Sequence, residues 1–162
     1  MNTKTLIIDP IRCDGCGDCR TACAEKYTNE KEPLKTRIRV VRHDIDNGFY
    51  LPMTCQQCDD PPCLAVCPQE AIYRDDDLNR VMIDNNRCIG CKMCVSACPF
   101  GAMRYDEERG RAFKCDLCGG NPACVAACSK GALSYRDSFE LHMPQMRGIA
   151  GKLCGVAGRK AA

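Results

Sequence analysis

Tryptophan is absent from this 162-residue chain, phenylalanine occurs four times, and aromatic residues make up 6% of the sequence. The length suffices for one domain, but the large side chains that usually fill a core are scarce, so something else must supply the interior. Positive charge is not in excess either: the formal net charge of +2 at pH 7 argues against a nucleic-acid partner. Residues Met1–Ile11 lack the apolar run of a secretory signal. The apolar stretch Gly148–Gly158 is short and interrupted by Lys152, so no membrane span is expected. There is no glycine-rich dinucleotide loop, no nucleophile–base pair and no flavin signature, and no catalytic site is expected. His43 and His142 read as ordinary polar residues.

What the chain has instead is cysteine, 17 in all. Sixteen fall into four groups: Cys13, Cys16, Cys19, Cys23; Cys55, Cys58, Cys63, Cys67; Cys88, Cys91, Cys94, Cys98; and Cys115, Cys118, Cys124, Cys128. Each group opens as C-x2-C and closes as C-x3-C. The middle gap is two residues in the first and third groups, four in the second and five in the fourth. The third group, Cys88 to Cys98 followed by Pro99, has the C-x2-C-x2-C-x3-C-P spacing of a cubane iron–sulfur motif. In two-cluster ferredoxins the last cysteine of such a run ligates the other cluster, so each motif calls for a partner. Sixteen thiolates suit four [4Fe-4S] clusters. A disulfide framework fits poorly, because cysteines two apart are badly placed to pair and the chain lacks secretory character. Zinc sites use two C-x2-C pairs without a third regularly spaced cysteine or a following proline. With clusters in place of a core, folding is coupled to metal binding and the apo chain is expected to be largely unfolded. Reduced thiols and oxygen-sensitive clusters point to a cytoplasmic, anaerobic setting.

Between the cysteines the pattern alternates turns and short strands. Lys4–Asp9 predicts a strand before the turn at Asp9-Pro10, and 21–27 is compatible with a helix. Arg37-Ile38-Arg39-Val40-Val41-Arg42 reads as a half-buried strand with Arg37, Arg39 and Arg42 outward, either as a solvated face or as a docking patch for an acidic surface. Asn47-Gly48 signals a turn, and Pro61 or Pro62 starts a short helix through Cys67. Hairpins are expected for 71–74 with 80–83 and for 102–105 with 111–113. Matching text follows three closing cysteines: Pro68-Gln69-Glu70-Ala71, Pro99-Phe100-Gly101-Ala102 and Ser129-Lys130-Gly131-Ala132. Each copy is one unit of cysteine loop, short helix and strand, and such units pack in pairs. Residues 137–162 lie outside the pattern. There Ile149, Leu153 and Val156 fall at helical spacing, which suggests a short helix for a partner or a neighbouring copy, or else a frayed terminus. Cys154 in this tail is expected to be a free thiol.

Four such groups, with the second and fourth widened, resemble the four-cluster ferredoxin-like electron-transfer subunits of molybdenum and tungsten pterin enzymes, hydrogenases and carbon monoxide dehydrogenases. The loops Cys55-Gln56-Gln57-Cys58-Asp59-Asp60-Pro61-Pro62-Cys63 and Lys114-Cys115-Asp116-Leu117-Cys118-Gly119-Gly120-Asn121-Pro122-Ala123-Cys124 look more particularly like the small iron–sulfur subunit of tungsten-containing aldehyde oxidoreductases. The resemblance implies an α+β fold of nested bacterial-ferredoxin-like units, an inner one over about 49–106 and an outer one from 4–30 and 107–136 within a domain of 1–136. It also implies the ligand sets: Cys13, Cys16, Cys19 with Cys128; Cys115, Cys118, Cys124 with Cys23; Cys55, Cys58, Cys63 with Cys98; and Cys88, Cys91, Cys94 with Cys67. Ala24 and Ser129 stand where the ferredoxin pattern has proline, so the outer sets depart from it. The implied role is to relay single electrons between a large tungsten or molybdenum pterin subunit and a flavin-, NAD- or ferredoxin-linked partner. The rivals are a free polyferredoxin carrier, a relay of formate dehydrogenase, hydrogenase or carbon monoxide dehydrogenase, and a homo-oligomeric cluster wire. Lys92, inside a cysteine loop, either raises its cluster's potential by favouring the more negative reduced state or points away into solvent.

Overall fold

The computed structural model describes residues 4–28, 35–43 and 49–138. The tail with His142 and Cys154 and the Asn47-Gly48 turn lie outside them. The fold is α+β, made of short helices and two-stranded ladders. In chain order these are β1 (Lys4–Ile8), a 3-10 turn (Pro10–Arg12), α1 (Asp18–Thr28), β2 (Arg39–His43), β3 (Phe49–Met53), α2 (Pro62–Ala65), β4 (Ile72–Asp75) and β5 (Arg80–Ile83). There follow α3 (Met93–Ala97), β6 (Arg104–Asp106), β7 (Arg111–Phe113), a second 3-10 segment (Leu117–Gly120), α4 (Ala123–Ala126) and β8 (Leu133–Asp137).

Four antiparallel pairs result: β1 with β8, β2 with β3, β4 with β5, and β6 with β7. The first joins the two ends of the described chain, Leu6 facing Tyr135, and the others are local. The last two hairpins share one turn design. Asp75 and Asp106 end their strands and accept the backbone N–H two residues on, at 3.1 Å in both cases. Four residues later the chain passes through positive φ, at Asn79 and at Gly110, as a type I turn closing on a left-handed residue requires. The text repeated after three cysteines is a second shared turn. The carbonyls of Cys67, Cys98 and Cys128 accept the N–H groups of Glu70, Gly101 and Gly131 at 3.2, 3.2 and 3.1 Å, and each donor has φ between 47° and 62°.

Two departures from the sequence expectation have local causes. The strand expected from Arg37 starts at Arg39 because the Thr36 hydroxyl takes both backbone groups of Ile38, donating to its carbonyl at 2.9 Å and accepting its N–H at 3.3 Å. Arg37 therefore does not point outward. It turns inward to Tyr27 and Asp116. Likewise α1, expected over 21–27, runs for 11 residues from Asp18 to Thr28, whereas α2, α3 and α4 have four or five; Ala24 permits this continuation past Cys23, although α4 stops at Ala126 with Ser129 in the matching place.

Two small apolar clusters form the interior, and cysteine is part of both. One gathers Ile38 and Leu133 with Cys19, Cys23 and Cys124, flanked by Leu6, Ile8 and Val40. The other gathers Ile72, Val81, Met103 and Ala112 with Cys94, flanked by Cys63, Cys67, Cys88 and Cys98. Helix α1 packs on α4, and α2 on α3, so each helix pair brings cysteines from two groups together. So few aliphatic side chains leave the interior dependent on whatever the cysteines hold. Removing iron with a chelator is expected to abolish the native far-UV circular dichroism; an iron-free chain that kept it would show that the aliphatic residues suffice.

Candidate metal centres

The cysteine loops are shaped by tight local geometry. In the first, Asp9 caps the 3-10 turn by accepting the Ile11 N–H at 3.1 Å, and Asp14 accepts that of Cys16 at 3.1 Å. Helix α1 then carries Cys19 and Cys23 one turn apart on its buried side. In the third loop a Cβ at Gly90 would collide with the Gly110 carbonyl oxygen, so only glycine lets this loop lie against the β6–β7 turn.

The cysteines of the four groups meet across the sequence. Cys13, Cys16 and Cys19 line one cavity with Cys128. Cys55, Cys58 and Cys63 line a second with Cys98. Cys88, Cys91 and Cys94 line a third with Cys67. In the remaining group, Cys115, Cys23 and Cys118 stand close enough to Cys124 for their charges to act on it. Among the described residues no three His, Cys, Asp or Glu side chains are gathered as a single ion would need. The cysteines surround space instead, and the fit is to a group with volume of its own.

The electrostatics make the same demand. Burial, reinforced by neighbouring cysteines, pushes the Cys19 and Cys94 thiols up to about 11. Burial likewise takes Cys115 up to about 11, and Cys124 is driven higher still. Thiols so desolvated and crowded become thiolates only around a cationic centre, which iron supplies. Donors already face the sulfurs. Ala71 N–H reaches Cys67 Sγ at 3.3 Å, Ala102 N–H reaches Cys98 Sγ at 3.4 Å, and Arg37 N–H reaches Cys23 Sγ at 3.2 Å. The first two come from equivalent turns. The third replaces the donor that is lost where α1 runs on.

The same neighbour relations put the four groups in file. Cys19 of the first presses on Cys124, Cys55 of the second presses on Cys115, and Cys63 presses on Cys94. The order is thus Cys13/16/19/128, then Cys115/118/124/23, then Cys55/58/63/98, then Cys88/91/94/67. Of these sixteen cysteines only Cys16 and Cys91 are exposed, one in each terminal group.

Several polar residues hold this arrangement, and of these the sequence assigned no role to Tyr27, Gln57 or Asp116. Tyr27 Oη on α1 donates to Asp116 Oδ1 and approaches Cys118 Sγ at 3.3 Å. The Arg37 guanidinium stacks on the Tyr27 ring, 3.3 Å from its centroid, and binds Asp116 Oδ2 at 2.6 Å. Burial alone would push the Asp116 carboxyl up, but the Tyr27 and Arg37 bonds outweigh it and hold it below the ordinary carboxylate range. Burial and the Asp116 bond raise the Tyr27 hydroxyl far above its usual value, so it stays a donor. Gln57 ties three segments: its Oε1 accepts Val81 N–H at 2.8 Å and Lys114 Nζ at 3.3 Å, and its Nε2 donates to the Cys115 carbonyl at 2.9 Å. Lys92 binds Glu107 at 2.8 Å and lies 4.1 Å from the Tyr105 ring centroid.

Comparison with known proteins follows this geometry. The profile of the 4Fe-4S dicluster domain matches residues 46–138, which contain the last twelve of the grouped cysteines. The beta subunit of the NADH-dependent phenylglyoxylate dehydrogenase of Aromatoleum evansii is 41% identical over 121 residues, covering 74% of this chain and 27% of that one. The putative electron transport protein YsaA of Escherichia coli K12 is 38% identical over 124 residues, covering 71% of this chain and 76% of that one. The polyferredoxin-like subunit of the aliphatic sulfonate oxidoreductase of Pyrococcus furiosus is 38% identical over 117 residues, covering 72% and 66%. The chain thus spans about a quarter of the first relative's length and two thirds or more of the second's, with the third at 66%. Tyr27→Phe, which removes one buried donor, is expected to cost about 1 kcal/mol of stability. It should also lower one midpoint in a redox titration with iron content unchanged; an unaltered titration would show that the hydroxyl serves Asp116 alone.

Proposed function

The chain belongs to the 4Fe-4S dicluster domain family, and on that footing we propose that it is an electron-transfer subunit holding four [4Fe-4S] clusters in a row. The ligand sets are Cys13, Cys16, Cys19 with Cys128; Cys115, Cys118, Cys124 with Cys23; Cys55, Cys58, Cys63 with Cys98; and Cys88, Cys91, Cys94 with Cys67. What carries this reading is the file of cysteine groups with exposed sulfur at its two ends, Cys16 and Cys91. A bound [4Fe-4S] cluster supplies a reversible one-electron centre. The chain's residues do the rest. Their thiolates fix the sites, their N–H groups stabilise negative charge on sulfur, and the exposed sulfurs at the ends are open to partners. We further propose a division into an inner unit over about 49–106 and an outer unit from 4–30 and 107–136; Ala112 and the β6–β7 hairpin cross its boundary.

The partners we propose are a tungsten or molybdenum pterin subunit that oxidises an aldehyde at one end and a flavin-, NAD- or ferredoxin-linked subunit at the other, in the cytoplasm. Two of the relatives are subunits of a dehydrogenase and of an oxidoreductase, which favours a bound relay with no catalytic site of its own. No helix of the described residues is long and apolar enough to cross a membrane. The second reading is a free carrier, favoured by the putative electron transport protein of which the chain covers 76%. Chains joined end to end through the tail remain compatible with the first. Affinity purification of the tagged chain from its native cells without oxygen separates these readings. A large subunit carrying tungsten or molybdenum should come with it, and recovery of the chain alone would favour the carrier.

A further inference from the structure

Most basic side chains near the cysteine loops have carboxylates of their own. Arg37 binds Asp116, Arg74 binds Asp59, Arg80 binds Asp75, Lys92 binds Glu107 and Lys130 binds Asp14. Lys114 is different. It is 4% exposed, and among the described residues no carboxylate pairs with it. Its ammonium donates only to neutral oxygens, the Cys115 carbonyl at 2.8 Å and Gln57 Oε1 at 3.3 Å. A buried ammonium without an anion is strongly unfavourable, so the fold must present negative charge to it. Its position names the source. Lys114 lines the cavity of Cys55, Cys58, Cys63 and Cys98, and it directly precedes Cys115 of the neighbouring group.

We infer that Lys114 is the fixed counter-charge of the two central clusters and raises the potential of both. The inference rests on the four-cluster reading above. Each reduction adds one electron, drawn from the reducing partner, and one negative charge to a site. A cation buried beside that site favours the reduced form, and the low local dielectric keeps the effect from being screened. At the ends the lysines are half-exposed and offset by carboxylates, Lys130 by Asp14 and Lys92 by Glu107. Arg20, next to Cys19, buries its Nε without a hydrogen-bond partner and is the corresponding cation of the first group. Lys92, the residue of this kind that the sequence suggested, is the weaker candidate.

The test is an anaerobic potentiometric titration of the full chain followed by electron paramagnetic resonance, with iron measured in every sample, for wild type, Lys114→Met and Lys114→Gln. The expected result is wild-type iron content, with two midpoints lowered by a tenfold or greater loss of reduced-state occupancy, about 59 mV for a one-electron couple, and two unmoved. Iron-replete variants with unchanged midpoints, or with equal shifts at all sites, overturn the inference. Loss of iron in both variants assigns Lys114 to assembly and overturns it as well. A wild-type protein with fewer than four titrating centres would instead refute the four-cluster reading, whatever the variants do.

Discussion

Crowded, desolvated sulfur is the constraint from which the rest of this structure follows. Four groups of thiols face shared spaces, and burial together with mutual repulsion holds the most enclosed of them protonated until a cationic centre arrives. The polypeptide offers little else as an interior. Its two apolar clusters contain Ile38, Leu133, Ile72, Val81 and Met103 but no aromatic residue among their buried members. Folding and cofactor binding are then expected to be one event, and the short helices and two-stranded ladders need no stability of their own.

The same economy explains why repeated local devices recur. A positive-φ residue three positions after a closing cysteine turns the chain at Glu70, Gly101 and Gly131. An aspartate at a strand end closes both inner hairpins. Each device is short-range, so each was legible in the sequence. The strand from Lys4, the helix begun by Pro62 and the two hairpins appear near where cysteine spacing and turn residues put them, although the helix ends at Ala65 short of Cys67 and the strand at Ile8 short of Asp9.

What could not be read locally was contact between distant segments. Tyr27 and Asp116 are 89 positions apart, and Gln57 and Lys114 are 57 apart. Gln57 and Lys114 stand beside ligand cysteines, which is a hint of importance but not of role. Arg37 looked like an outward residue of an alternating strand, and only the Thr36 side chain, by holding Ile38, changes its direction. The long-range polar contacts cluster between the second and fourth cysteine groups, where the two halves of the row adjoin. The opening C-x2-C turns of those two groups supply Gln57 and Asp116.

The order of the cysteine groups and the exposure of Cys16 and Cys91 together fit the proposed relay with two accessible ends. That description depends on every group being filled. Iron and acid-labile sulfide per chain, measured on protein prepared without oxygen, test it most directly. The account predicts about sixteen of each; markedly lower values, or zinc in place of iron, would contradict it.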